Sequence, residues 1–168
     1  GHDASTPHSV RGGRPAPDQE PDQDERVCGV PRFVAQVPVR WTDQDAYRHV
    51  NNAKAVTLLE EARVALIFDE AAAEGVVGFA AGLLVVGLHV DYRRQIPYRS
   101  DGVRVAMAIE EVRAASFRIT YEMHDGPEEG DAVAVRAWTR MATYDLDAGR
   151  PRRLTDEERA FLGRWTAA

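Results

Sequence analysis

The chain has 168 residues, a net charge of −6 and a pI near 5.4, and 44% of its residues are hydrophobic. This length fits one domain with a sizeable core. The acidic balance argues against a nucleic-acid-binding protein, and the single cysteine, Cys28, excludes an intramolecular disulfide. No apolar run reaches the roughly 18 residues that a membrane span needs, so no membrane insertion is expected.

Residues 1–31 are expected to form a disordered tail. They contain five prolines, several glycines and no aromatic residue, and such a composition buries too little apolar surface to offset the entropy of ordering. The missing initiator methionine suggests a tag scar at Gly1 and His2, and the first residues lack the features of a signal peptide. We therefore expect a cytoplasmic protein whose folded domain spans residues 32–168.

The folded part opens with an alternating pattern that is typical of a β-strand. One face of this strand carries five apolar residues: Phe33, Ala35, Val37, Val39 and Trp41. Pro38 interrupts the pattern and indicates an edge strand or a bulge, because proline cannot donate a hydrogen bond to a neighbouring strand.

A long helix is predicted next, capped by Asn51 or Asn52 and running to about Glu74. Its apolar residues recur at helical spacing: Ala55, Leu58, Leu59, Ala62, Leu66, Ile67 and Ala71. Gly75 follows where a helix commonly ends on a left-handed residue.

Beyond this helix the apolar period changes to two, which is typical of strands. Four more strands are predicted, at residues 84–92, 103–109, 117–123 and 132–144. A short helix is predicted at 155–165, with Thr155 as its N-cap and Glu158 at the capping-box position. One long helix among antiparallel strands predicts an α+β fold whose sheet wraps the helix.

Residues 40–52 place several chemically capable side chains between a strand and a helix: Asp43, Asp45, His49, Asn51 and Asn52. A carboxylate there can serve as nucleophile or general base, and the open N–H groups of the helix start can stabilise an oxyanion. Asp and Asn before a helix also commonly cap it or form turns. A calcium loop is excluded, because Tyr47, Arg48 and Lys54 occupy positions that it would need, and no zinc spacing exists.

The run from Val39 to Asn52, with Leu59-Glu60-Glu61-Ala62-Arg63, resembles the hotdog-fold acyl-CoA thioesterases of the 4-hydroxybenzoyl-CoA thioesterase type. Their signature is an aromatic residue, then Asp-x-Asp-x-x-Gly-His-Val-Asn-Asn and a helix with Glu-x-Ala-Arg. The resemblance covers about residues 33–146. It implies a hotdog fold, in which a curved antiparallel sheet of about five strands wraps a long central helix. It also implies a homodimer or tetramer with active sites at the dimer interface.

The resemblance further implies that Asp45 is the catalytic carboxylate and that the oxyanion donor is a backbone N–H at or near Asn52. His49 and Asn51 match positions that shape the turn or orient a water, and Asp43 is expected to organise the turn. The expected residues for binding substrate and coenzyme A are Tyr47, Glu60, Arg93, Arg113 and Ser116.

Two positions depart from the family pattern. Arg48 replaces the glycine before the histidine. Because arginine adopts a positive φ only at a cost, we expect either a different turn or a position that requires no special conformation. Ala55 replaces an aromatic residue near the acyl pocket. The implied function is hydrolysis of acyl-CoA, with Asp45 either as nucleophile or as general base. No cofactor is expected, because coenzyme A is part of the substrate, and no metal is expected, because neither a calcium loop nor a zinc spacing is present. Two alternatives stay open: an acyl-carrier-protein thioesterase and a non-catalytic acyl-CoA-binding module.

Overall fold

The computed structural model describes residues 30–166, so most of the expected tail at 1–31 lies outside the described residues, as do residues 167–168. The strands are β1 (Phe33–Val37), β2 (Leu83–Tyr92), β3 (Val103–Glu110), β4 (Ser116–His124), β5 (Val133–Asp145) and β6 (Arg150–Pro151). The helices are α1 (Asn52–Val64), α2 (Ala71–Ala73) and α3 (Asp156–Gly163). A π-helical turn at Ala65–Glu70 joins α1 to α2, and 3-10 turns lie at Trp41–Asp43 and Gly78–Ala81.

The strands form one antiparallel sheet in the order β1-β3-β4-β5-β2, with β6 paired to β5. β1 and β2 are therefore the edges of the main sheet. The sheet has two different faces, because alternate residues of a strand point in opposite directions. Along β5, Val135 and Met141 are buried in the core, whereas Arg136 and Arg140 are half-buried on the outer face.

The long helix packs its predicted stripe into the core beneath this sheet. Every residue of that stripe is buried: Ala55, Leu58, Leu59, Ala62, Leu66, Ile67 and Ala71. The helix ends as expected at Gly75, whose φ is +82°, and Val76 N donates to the Ala71 carbonyl at 2.8 Å. The predicted α+β hotdog arrangement, a long helix against a curled antiparallel sheet, is confirmed.

Three details of the elements differ from the sequence-based expectation. The first strand ends at Val37, because Pro38 cannot extend the ladder, and Trp41 instead begins a 3-10 turn and is 71% exposed. β2 carries a bulge between Val85 and Gly87, so its alternation is broken there. The π turn inserts a wider turn into the helix, a feature that helical periodicity alone does not signal.

A buried ion pair holds α3 against the rest of the domain. The predicted capping box is present, since Glu158 N donates to Thr155 Oγ1 at 3.1 Å and Thr155 N donates to Glu158 Oε2 at 2.8 Å. Arg152 also donates to both Glu158 oxygens, at 2.7 and 2.8 Å, and to the Gly78 carbonyl at 2.8 Å. The hydrogen bond to Glu158 raises the pKa of the Arg152 guanidinium.

Within residues 30–166, no helix is both long enough and apolar enough to cross a membrane.

Candidate active site

The polar turn before α1 folds back on itself as a short hairpin. Asp45 N donates to the His49 carbonyl at 2.9 Å, and Arg48 N donates to the Asp45 carbonyl at 3.0 Å. The Asp45 side chain takes part as well, since its Oδ1 accepts a hydrogen bond from Tyr47 N at 2.8 Å. This Asx-type turn restrains the half-buried carboxylate and leaves Oδ2 without a hydrogen bond among the described residues.

Arg48 adopts a left-handed conformation in this turn, with φ of +65°. The family's glycine position therefore keeps its special backbone geometry even though arginine occupies it. A left-handed non-glycine residue costs about 1 to 2 kcal/mol, so the turn is retained at the expense of stability.

We expect Arg48→Gly to stabilise the protein by about 0.5 to 1 kcal/mol. Glycine removes the backbone strain of the folded state. It also raises the conformational entropy of the unfolded chain, but this opposing effect is smaller than the strain that is removed. Urea denaturation of the variant beside the unsubstituted protein measures the difference. Arg48→Ala is the matched control, since it shortens the side chain but keeps the Cβ and should bring no gain. A lower urea midpoint for Arg48→Gly would contradict the prediction.

Asp43 anchors the same turn from within the core. Its carboxylate is 1% exposed and accepts hydrogen bonds from Arg40 N at 2.7 Å and Arg40 Nη2 at 3.0 Å. Burial raises the pKa of the Asp43 carboxyl, but the hydrogen bonds and charge of Arg40 outweigh it and hold that pKa below its ordinary value. Asn51 N donates to the Asp43 carbonyl at 2.8 Å, so Asp43 fastens the helix start and points no carboxylate into the pocket.

The start of α1 presents an open amide beside Asp45. Asn51 is the N-cap, and its side-chain oxygen accepts from Ala53 N at 2.9 Å. Asn52 N makes no hydrogen bond within residues 30–166, as expected for the first residue of a helix. On its other side, the Asn52 carbonyl accepts a hydrogen bond from the Tyr92 hydroxyl at 2.7 Å, which links the helix start to the end of β2.

A pocket of about 350 Å³ opens at this corner of the domain. It brings together five of the predicted site residues: Asp45, Tyr47, His49, Asn52 and Arg93. Ala55 and Val135 contribute apolar lining, so the position where the family carries an aromatic residue does face the pocket. Tyr47 is 79% exposed and stands at its rim.

The far wall of the pocket comes from the segment after β2. Val50 N donates to the Ile96 carbonyl at 2.8 Å, and an antiparallel bridge joins His49 to Pro97. These bonds hold the 93–97 segment against the turn. His49 lines the pocket, and its Nδ1 is buried and has no hydrogen-bond partner in the described part of the chain.

The other predicted residues lie away from the pocket. The side-chain oxygen of Asn51 caps α1 by accepting a hydrogen bond from Ala53 N. Glu60, two turns further along α1, is exposed and forms an ion pair with Arg63 at 3.7 Å. Ser116 aligns through Ala142 with Leu84, which is at the opposite end of β2 from the pocket residue Tyr92. Arg113 precedes Ser116 and is exposed there. Within one protomer, neither Arg113 nor Ser116 meets Asp45.

Several pocket residues were not predicted from the sequence: Tyr92, Arg94, Gln95, Ile96 and Val135. The Arg93-Arg94 pair was visible as a local basic cluster, which is a weak signal of an anionic ligand. Tyr92 and Val135 gave no such signal, because their approach to the helix start depends on β2 pairing with β5, where they face each other in register.

The arrangement suits acyl transfer chemistry. Asp45, which is half-buried, and Asn52, the first residue of α1, line one pocket, so the positive end of the α1 dipole lies at its wall. The carboxylate can attack or activate water, while the N–H can stabilise negative charge on a carbonyl oxygen.

Comparison with known proteins agrees with this chemistry. The model of the thioesterase-like superfamily matches residues 39–162. A predicted thioesterase from Bacillus stearothermophilus is 24% identical, covers 80% of this chain and 96% of its own, and superposes with a TM-score of 0.66. The probable thioesterase YbaW from Escherichia coli is 25% identical, with coverage of 79% and 97% and a TM-score of 0.63. A putative thioesterase from Pseudomonas aeruginosa is 26% identical, with coverage of 76% and 95% and a TM-score of 0.63.

No match to a curated protein was found.

Proposed function

Because the chain belongs to the thioesterase-like superfamily, we propose that it hydrolyses acyl-CoA thioesters to a free acid and coenzyme A in the pocket beside Asp45. Thioester hydrolysis itself is supported by the family match and by the similarity to the E. coli and P. aeruginosa proteins. The observation that carries the assignment to this pocket is that Asp45 and Asn52 both line it, and that the Asn52 N–H makes no hydrogen bond within residues 30–166.

Two routes are compatible with this geometry. In the first, an Asp45 oxygen attacks the thioester carbonyl, the thiolate leaves, and water then hydrolyses the mixed anhydride. In the second, the Asp45 carboxylate takes a proton from water as that water attacks the carbonyl. Either route builds negative charge on the carbonyl oxygen, where Asn52 N–H would donate. A thiolate is a good leaving group, so neither route requires an acid to protonate it first.

Side-chain contacts suggest roles for the remaining pocket residues. Tyr92 would keep the oxyanion donor in position through its hydrogen bond to the Asn52 carbonyl. His49 would shape the turn that carries Asp45, through its backbone contacts with Asp45 and Pro97. Ala55 and Val135 would contact the acyl group, and Tyr47 and Arg93 would contact the entering substrate.

The test is release of free thiol from a panel of short, long and aromatic acyl-CoAs, with the same acyl groups on an acyl carrier protein as a second arm. Turnover on acyl-CoA supports the proposal. Release of thiol only from the acyl carrier protein would show that the substrate is an acyl-carrier-protein thioester and not an acyl-CoA. Saturable acyl-CoA binding without thiol release would indicate a binding module instead.

We also propose that the active form is a homodimer joined along β2. This strand is an edge of the sheet and is ten residues long. It exposes five large apolar residues, which is unusual for a free edge: Leu84, Val85, Val86, Leu88 and Tyr92. A second copy that pairs through the same strand would bury the apolar surface and would form hydrogen bonds with the unpaired backbone N–H and C=O groups of the edge.

Antiparallel pairing of two β2 strands has a consequence for the site. The Tyr92 end of one strand would lie beside the Leu84 end of its partner, and Ser116 aligns with that Leu84 end. Such a dimer would bring the predicted residues Arg113 and Ser116 of a second copy toward the pocket. Tetramers could arise by further pairing of these dimers.

Val86→Arg is expected to weaken the dimer by about a hundred-fold or more, because each protomer would bring an unpaired charge into the apolar interface. Val86 is 58% exposed at the bulge, so the change should spare the protomer fold. Sedimentation measures the oligomeric state, and thiol release measures the accompanying loss of activity. Val77→Arg, at a residue that is 69% exposed and outside β2, is the control. A Val86→Arg protein that stays dimeric would contradict the proposed interface.

A further inference from the structure

One peptide unit at the start of α1 is held from both sides. It joins Asn52 to Ala53, and its carbonyl oxygen accepts a hydrogen bond from the Tyr92 hydroxyl at 2.7 Å. Its N–H, on Ala53, donates to Asn51 Oδ1 at 2.9 Å. The two side chains come from different elements, because Asn51 is the N-cap of α1 and Tyr92 is the last residue of β2. The Asn52–Ala53 peptide is therefore held both from within the helix and from the sheet.

The peptide unit on the other side of Asn52 is held as well. The Asn51 carbonyl accepts a hydrogen bond from Ala55 N at 2.9 Å, and Asn51 N donates to the Asp43 carbonyl at 2.8 Å. Because peptide units are planar, only φ and ψ of Asn52 set how its two flanking units are oriented relative to each other. Holding both units therefore fixes the direction of the Asn52 N–H, which belongs to the Asn51–Asn52 unit.

This restraint matters because the first turn of a helix is weakly held. Its N–H groups lack partners inside the helix, and helix ends open locally at little cost in free energy. Asn52 is exposed, and its N–H makes no hydrogen bond within the part of the chain that the structure describes. The Asn51 cap lies on the same turn and opens with it. The bond from Tyr92 comes from the sheet, so it opposes that opening.

Tyr92 reaches the helix from a firm base. It is paired in register with Val135 of β5, and Arg93 N donates to the Ala134 carbonyl at 2.8 Å. Both of these β5 residues are buried. A tyrosine side chain has only two χ angles, so ordering its ring costs little conformational entropy. The hydroxyl is therefore held at a defined position, although Tyr92 is 49% exposed.

We propose that Tyr92 is a positioning residue, which acts through the Asn52 carbonyl to keep the Asn52 N–H aligned with the oxyanion of the reaction. The inference rests on the proposed function, and it adds that both hydrogen bonds of the Asn52–Ala53 peptide are needed for full activity. An oxyanion donor is effective because it is already oriented toward the place where charge develops. A displacement of about 1 Å in such a site can lower the rate about a hundred-fold.

This role predicts an effect on the reaction step and little effect on substrate binding. The Asn52 N–H donates more strongly to a developing oxyanion than to a neutral carbonyl oxygen, because charge strengthens a hydrogen bond. Tyr92→Phe removes the hydroxyl and keeps the ring. We expect its kcat for acyl-CoA to fall about ten-fold to a hundred-fold, with KM within about two-fold. Tyr144→Phe makes the same change on β5, outside the pocket and β2, and is the matched control.

The two side chains that hold the Asn52–Ala53 peptide should not act independently. Asn51→Ala removes the bond to Ala53 N, whereas Asn51→Ser keeps an oxygen that can cap the helix and should lose less of kcat. The double variant Asn51→Ala/Tyr92→Phe should lose less than the product of the two single losses, because both side chains hold the same peptide. Losses that simply multiply would contradict this joint role.

Two analogues of butyryl-CoA separate positioning from a merely structural role. The trifluoromethyl ketone analogue adds water or a carboxylate at its carbonyl and so resembles the tetrahedral intermediate, whereas the plain ketone analogue keeps a neutral carbonyl. By calorimetry, Tyr92→Phe should weaken binding of the first by about the same factor as kcat and leave the second within about two-fold. Equal weakening of both analogues would overturn the proposal, as would unchanged binding of both.

Amide hydrogen exchange, measured by NMR, tests the same contact without any ligand. Tyr92→Phe should speed exchange of the Ala53 and Ala55 amides about three-fold to ten-fold, because one hydrogen bond that holds the helix start is lost. Circular dichroism checks that each variant folds. Unchanged exchange of these amides in a folded Tyr92→Phe protein would overturn the proposal.

These measurements separate the role of Tyr92 from the proposed function. If the unsubstituted protein releases no thiol from any acyl-CoA, the proposed function fails, and the exchange rates and the binding of the two analogues still decide the role of Tyr92. If the protein turns over acyl-CoA and Tyr92→Phe keeps its full kcat, the proposed function stands and the positioning role is wrong.

Discussion

Asp45→Asn is expected to lower kcat for thioester hydrolysis by about a hundred-fold to ten-thousand-fold, the range that a positioned carboxylate contributes as base or nucleophile. Asparagine keeps the side-chain oxygen that accepts the hydrogen bond from Tyr47 N, so the turn should survive. Its amide can neither attack a carbonyl efficiently nor accept a proton from water. The variant should therefore fold and bind substrate while losing turnover.

The measurement is thiol release under saturating acyl-CoA, together with substrate affinity by calorimetry. Asp147→Asn makes the same chemical change at an exposed carboxylate in the turn between β5 and β6, outside both the pocket and β2, and should retain activity within about two-fold. A kcat of Asp45→Asn within ten-fold of that of the unsubstituted enzyme would contradict a role for Asp45 as nucleophile or general base. Glu60 would then be the next carboxylate to substitute.

Glu158→Ala is expected to cost about 3 to 5 kcal/mol of unfolding free energy, because it leaves the Arg152 charge without its partner in a buried site. Glu158 is fully buried and accepts two hydrogen bonds from Arg152 and one from Thr155 N. The same change removes half of the capping box of α3. Gly78 packs directly against this carboxylate, and its carbonyl accepts a hydrogen bond from Arg152. Removing the Glu158 carboxylate should therefore also destabilise the 3-10 turn before β2.

Chemical denaturation of Glu158→Ala measures this effect. Glu157→Ala is the matched control, since Glu157 is the exposed neighbour on the same helix and should shift stability by less than about 0.5 kcal/mol. The double variant Arg152→Met/Glu158→Leu removes both charges and should recover much of the loss. A Glu158→Ala variant within 1 kcal/mol of the unsubstituted protein would show that the ion pair is not needed.

The chain's own pattern was enough to predict features that depend on neighbours close in sequence. The apolar stripe from Ala55 to Ala71 follows from helical periodicity, and all of it is buried. The capping box at Thr155 and the helix end at Gly75 depend on contacts a few residues apart, and both were predicted correctly. The turn motif around Asp45 and His49 was also visible, because its residues are consecutive.

Features set by long-range pairing were not predictable in this way. The bulge in β2 arises where β2 meets β5, more than fifty residues later in the chain. Tyr92 joins the site only because its strand ends beside the start of α1, forty residues earlier. Arg113 and Ser116 were grouped with Asp45 by resemblance, but the strand register separates them within one protomer.

The sequence by itself therefore determined the elements, the site turn and the family chemistry, since each rests on local spacing and residue type. The tertiary structure alone decided the pocket wall, the exposed β2 edge and the hydrogen bond from Tyr92 to the helix start. The physical reason is that strand order and register are set by the summed burial of the whole core. No short stretch of sequence encodes which distant residues become neighbours across the sheet.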